Sequence, residues 1–278
     1  MRLGAASWLL LLGLAATAAG SPAPATTGAT GAPAKSPGVT LRYEVSWSLI
    51  PLLEIESRSR VDPSNYEMDV EMETVGVVDF LFSWRANQAS RGEVESAKVS
   101  PRSFRTTSEF RGRRQDIDLG YGPEGLDRER VEGSTVDPSE RVEVPAEMRQ
   151  STMDPLSAVV QVSRRLVAGE SCDGIARIFD GVRRYDLTYQ DLGEREVGDG
   201  EKFGGRARLC RATMVPLGGF WRPKDREPDS LHHIDAYWAP PWPGADPVPV
   251  KLALEGSRGT LEVRLVEALP GDRPSRDS

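Results

Sequence analysis

Cysteine and histidine are nearly absent: the 278 residues hold two of each. The histidines are the adjacent pair His232-His233. A nucleophilic thiol needs a neighbouring base, usually histidine, and neither Cys172 nor Cys210 has one nearby in sequence. Neighbouring residues of a strand point to opposite faces, so His232 and His233 are not expected to ligate one metal together. No Gly-x-Ser-x-Gly, His-Glu-x-x-His or phosphate-cradling glycine loop occurs. The sequence therefore points to no catalytic residue, metal ligand or cofactor, and a non-enzymatic protein is expected. Beyond the first residues no apolar run approaches the roughly 20 residues a membrane-spanning helix needs. Positive charge is also short, with a formal net charge of −7. Without a dominant basic stripe, nucleic acid is not an expected partner, and Arg111-Gly112-Arg113-Arg114 reads as a solvated turn.

The residues that are present begin with an address. Met1-Arg2 precedes an apolar core from Trp8 to Leu14, and Ala16-Thr17-Ala18 fits a small-x-small cleavage site. Residues 1–18 read as a secretory signal peptide, which puts the protein in the periplasm. Residues 19–39, made of Ala, Pro, Thr, Gly and Ser with little to bury, read as a disordered linker. Residues 40–269 read as one β-rich domain and 270–278 as a loose tail. In an oxidising compartment two cysteines argue for one disulfide, Cys172–Cys210. Around the first of them, "SCDGIARIFDGVRRYDL" reads as strand, Asp180-Gly181 turn and strand. Its carboxylates lack the two-residue spacing of a calcium loop.

Period-two patterning dominates the front of the domain. Leu41, Tyr43, Val45, Trp47 and Leu49 alternate with polar residues, as do Tyr66, Met68, Val70 and Met72. Over such lengths this means half-buried antiparallel strands. About ten to twelve strands are expected from these patterns. One helix stands out. Asp154 suits the N-cap, Pro155 the first turn and Gly169 the end. A helix is about 10–12 Å across, whereas ten strands spaced about 4.8 Å apart make a sheet roughly 45 Å wide. One helix cannot cover that apolar face. The expected fold is mainly β: a large curved antiparallel sheet, an open or closed barrel, wrapped around one α-helix. A two-sheet sandwich is the competing solution.

A concave apolar surface only partly filled by a helix suits an acyl chain. The expected ligand face is Tyr43, Trp47, Val78, Phe80, Phe82 and Trp84, the last four alternating along "VVDFLFSW" read as a strand. "WAPPWPGADP" is the expected lid, carried by Trp238 and Trp242. Lipid or a lipoprotein acyl chain is the expected partner. The alternative is a structural or interaction module of the envelope with no small ligand.

The order of "YEVSW" at Tyr43–Trp47, "DPLSA" at Asp154–Ala158, "CDG" through "FDGVRRYDL" at Cys172–Leu187, Cys210, and "VKL" at Val250–Leu252 resembles a bacterial exported family, domain of unknown function 3108. The resemblance covers Leu41 to Leu269. The first strand departs from the glycine-bearing form the family pattern leads one to expect, with Ser48-Leu49-Ile50-Pro51 in its place. The resemblance implies an architecture similar to the half-barrels of LolA- and LolB-like carriers. It also supports the cysteine pair and the helix at Asp154, and implies no activity.

Overall fold

In this computed structural model the described residues are 38–134, 141–198, 203–221, 233–256 and 259–271. The expected signal peptide, nearly all of the expected linker, His232 and residues 272–278 lie outside them. The front half is a meander: β1 (Val39–Trp47), β2 (Ile50–Val61), β3 (Asn65–Thr74), a short helix α1 (Gly76–Phe82), β4 (Trp84–Glu95), β5 (Lys98–Phe110), β6 (Arg113–Gly122) and β7 (Gly125–Gly133). Two helices follow, α2 (Ala146–Arg149) and α3 (Pro155–Val167). The second meander is β8 (Gly174–Phe179), β9 (Arg184–Val197), β10 (Gly205–Gly218), β11 (His233–Ala239), β12 (Val248–Gly256) and β13 (Gly259–Pro270). β1 begins at Val39 and β13 reaches Pro270, so the strands run slightly past both expected limits of the domain.

All thirteen strands form one antiparallel sheet, ordered β7-β6-β5-β4-β3-β2-β1-β13-β12-β11-β10-β9-β8. β1 and β13 join the two meanders at its centre, and β7 and β8 are its unjoined edges. This is the curved-sheet solution rather than the sandwich, with more strands than the ten to twelve expected. Strands β4, β5 and β7 were illegible in the pattern because polar residues stand on both faces of β4 and β5 and all but Leu126 of β7 is left in contact with solvent.

The sheet curls far enough for its two ends to meet. Gly181, in the β8–β9 turn, backs onto Ile117 of β6. Residues 141–153 strap the seam. Met153 forms a parallel bridge to Ile178 on the β8 edge, and Val142 exchanges backbone hydrogen bonds with Gly219 and Phe220. Arg149 in α2 pairs with Glu129 on β7 at 2.9 Å. The strap thereby supplies partners to an edge that would otherwise template association.

Helix α3 fills the concave side against β4, β5 and β8, with Leu156, Ser157, Val160 and Ser163 fully buried. It starts and stops as its residues dictate. Asp154 caps it by accepting from Ser157 N, Pro155 opens the first turn, and Gly169 ends it with φ +75°. Around it lies a continuous apolar cluster from Leu41, Val45 and Ile55 through Met68, Phe104 and Leu119 to Val263 and Leu265. The convex face is charged and cross-linked by ion pairs such as Arg58–Glu71 at 2.7 Å and Arg91–Asp69 at 2.9 Å.

One close approach lies between β3 and β4. Gly92 on β4 faces Tyr66 on β3, and a Cβ there would lie 2.5 Å from the tyrosine Cε1. Gly92→Ala is expected to destabilise by about 2 kcal/mol through overpacking, read as a lower urea midpoint. The Ser100 carbonyl oxygen of β5 is closer still, so an unchanged midpoint would mean that both the ring and the β5 backbone can give way.

Candidate functional site

The register assembles a polar row on the concave face. Reading across neighbouring strands, Leu41, Ser57, Val70, Gln88 and Thr106 are successive cross-strand partners. The adjacent row on the same face is Tyr43, Ile55, Met72, Ala86 and Ser108. All ten side chains are buried. The hydroxyls of Tyr43, Ser57 and Thr106 and the amide oxygen of Gln88 form no hydrogen bond. At about 4.8 Å per strand, Ser57 and Thr106 stand roughly 15 Å apart before curvature shortens the distance. A buried polar atom without a partner costs about 1–3 kcal/mol, and each one in a folded chain calls for an explanation. Burial also pushes the Tyr43 phenol well above its ordinary value, so it remains a protonated donor.

A second buried polar group lies where α3 meets β3 and β4. The Tyr66 hydroxyl lies 2.6 Å from Ser157 Oγ and 3.1 Å from Ser90 Oγ. The Asp154 carboxylate accepts from Ser157 N at 3.0 Å, from Ser90 Oγ at 3.1 Å and from Ser157 Oγ. Burial pushes Asp154 up to about 6, more than its donated hydrogen bonds pull it down. Tyr66 is raised by the same burial and by the neighbouring Asp154 charge. Every member is satisfied by another, so the cluster reads as a clamp that seats the helix in the sheet.

Outside the seam, a cleft of about 450 Å³ is lined by Glu129, Arg141, Val144, Arg149 and Phe179 among others. Its cations are engaged: the Arg149 guanidinium pairs with Glu129 and lies 5.7 Å above the Phe179 ring, and Arg141 donates to Gly219 O. Among the described residues no three His, Cys, Asp or Glu side chains gather as a metal site, and no helix is long and apolar enough to cross a membrane.

The family model described as "Protein of unknown function (DUF3108)" matches residues 42–266. The chain belongs to that family. A search of curated proteins returns no match. Among solved structures, the chain is similar to a beta-barrel-like protein of domain of unknown function DUF1849 from Brucella abortus. The TM-score is 0.48 and the identity 11%, over 85% of this chain and 98% of that one.

The sequence-derived residues separate in space. Tyr43 points into the interior, Trp84 is buried on β4, and Trp47 is half-buried against the core. Val78, Phe80 and Phe82 do not continue a strand through Trp84. They lie on α1, which has no buried residue, and Phe80 is 89% exposed. The expected single apolar face from Val78 to Trp84 therefore does not exist. Trp238 is a buried residue of β11 beside the cysteines, while Trp242 packs half-buried on the core. The β11–β12 connection that carries Trp242 is pinned to α3 by Arg164–Asp246 at 3.1 Å and Ser163 Oγ to Pro247 O at 2.8 Å. It is a packed closure of that side rather than a loose flap. Cys172 and Cys210 are disulfide-bonded, with Cα atoms 6.2 Å apart. The inward Gln88 and Thr106 escaped the sequence reading because β4 and β5 carry polar residues on both faces, and Ser57 of β2 joins them only through the strand register. Their only signal was small or uncharged side chains alternating with charged ones.

Proposed function

We propose that this protein acts in the periplasm as a non-enzymatic binder of a lipid or a lipoprotein acyl chain, held against the concave face of the half-barrel. The observation that carries this reading is the two adjacent rows holding the partnerless Tyr43, Ser57, Gln88 and Thr106 polar atoms among Leu41, Val70 and Met72. A molecule with an apolar body and a few polar atoms answers both halves of that surface. The disulfide suits an oxidising compartment, in keeping with residues 1–18 acting as an export signal.

A second reading, an envelope interaction module with no small ligand, is favoured by the unbroken apolar packing of Leu156 and Val160 among strand residues of both meanders. One experiment separates the two. Protein purified from its native envelope is extracted with organic solvent and analysed by mass spectrometry, beside the Gln88→Leu, Thr106→Val double variant. A ligand-binding interior yields bound lipid from the parent and much less from the variant. Recovery of no lipid, with the variant more stable by about 1–3 kcal/mol because unmet polar groups are gone, selects the module.

A further inference from the structure

At one end of the sheet, two neighbouring connections project apolar side chains into solvent. In the β1–β2 turn, Leu49 is 89% exposed and Ile50 57%. In α1, the connection from β3 to β4, Phe80 is 89%, Val77 74% and Leu81 54% exposed. The second connection sits against the start of β2, just past that turn: Val75 N donates to Leu52 O at 3.0 Å, and α1 packs on β2. The exposure is not slack. Leu49 is held at φ +79° in a tight turn. Asp79, the one acid of α1, turns back to accept from Thr74 Oγ1 at 2.8 Å, which leaves the apolar residues outermost.

The next connection along the same rim is basic. The Arg111 guanidinium sits 5.0 Å over the Phe82 ring and 5.3 Å over Phe110, and its backbone N–H donates to Ser83 O. Arg113 beside it is exposed, and Arg114 is taken by Asp116. Outward acids on the neighbouring strands include Glu109, across from Arg114, Glu73, which lies 3.9 Å from Arg85, and the exposed Glu54 and Glu44 that follow Glu73 across the strands. On a chain of net charge −7, this rim combines the most protruding apolar side chains with a local cationic turn.

We propose that this rim docks on an anionic phospholipid surface, with Leu49, Ile50, Val77, Phe80 and Leu81 entering the headgroup boundary and Arg111 and Arg113 meeting lipid phosphates. The shape favours a bilayer over a folded partner. The feature is a group of mostly exposed aliphatic and aromatic side chains on two neighbouring connections, and it carries arginines at its edge as interfacial anchors do. The inference stands whether or not the interior takes a ligand.

The test is co-sedimentation of the full chain with phosphatidylcholine vesicles, with and without phosphatidylglycerol. Binding is expected to need phosphatidylglycerol and to weaken with salt. Arg113→Ala is expected to lower the partition coefficient about fivefold. Leu49→Asp with Phe80→Asp is expected to lower it at least about tenfold with an unchanged melting midpoint, since both side chains are already in water. Thr106→Val in the interior should leave vesicle binding intact, which separates this idea from the proposed ligand site. Absence of binding, equal binding of the aspartate variant, or loss of a concentration-dependent dimer in that variant without change on vesicles would overturn the proposal, the last by assigning the rim to a second copy of the chain.

Discussion

Replacing both cysteines, Cys172→Ala with Cys210→Ala, is expected to lower the unfolding free energy by about 4 kcal/mol, the chain-entropy value for a loop of this length. The bond joins residues 38 apart in sequence and ties the segment leaving α3 to β10. Both cysteines are buried, packed with Val162 of α3 and with Ala236 and Trp238 of β11. Their surroundings are cross-braced. Cys172 N donates to the Asp191 carboxylate at 3.2 Å, Asp191 N donates to Asp173 at 2.8 Å, and Arg208 pairs with Asp191 at 2.8 Å. Losing the link frees the denatured chain and unties the segment between α3 and β8 from β10. Against a typical domain stability of about 5–15 kcal/mol, the melting temperature should fall by about 10 °C. Urea titration of the parent and the double variant is the direct measurement. A difference below about 1 kcal/mol would mean that neither chain entropy nor this packing depends on the bond. Alanine is the right replacement, because serine would add two buried hydroxyls to an apolar site.

How far such features can be read from the chain depends on what decides them. The helix at Asp154 was legible because cap, first-turn proline and closing glycine are local signals, and each does its expected work. The hairpin after Cys172 was legible for the same reason: the Asp180 carboxylate accepts from the N–H groups of Val182 and Arg183 in the turn. The segment at Val77–Phe82 was not. In a seven-residue apolar stretch, alternation fits a strand as well as a turn of helix. The outcome is fixed by Gly76 at φ +60° and by the reach of Asp79 to Thr74, neither of which periodicity reports. The interior polar row was illegible for a different reason. Ser57, Gln88 and Thr106 become neighbours only through the register of four strands, and polar residues on both faces of β4 and β5 conceal which side faces in.

Asp154 gives the second large effect, and its sign runs against ordinary acid denaturation. Its carboxyl is buried and pushed up to about 6, because burial disfavours the charged form more than three donated hydrogen bonds favour it. An unfolded aspartate titrates near 3.9. Between those values the folded chain holds the extra proton, so stability rises as pH falls from about 7 to about 4, and is lost again as pH climbs through 6. The shift corresponds to about 3 kcal/mol in total. Asp62, Asp118, Asp191 and Glu262 are lowered by their partners, and they work the other way only at more acid pH. Stability should therefore peak in mildly acid solution. Asp154→Asn keeps an N-capping oxygen for Ser157 N and removes the ionisation. Urea midpoints of this variant should be nearly flat between pH 7 and 5, while those of the parent climb. Equal slopes in the two proteins would show that the carboxyl is not the titrating group, and would return the clamp among Tyr66, Ser90 and Ser157 to a purely neutral hydrogen-bond network.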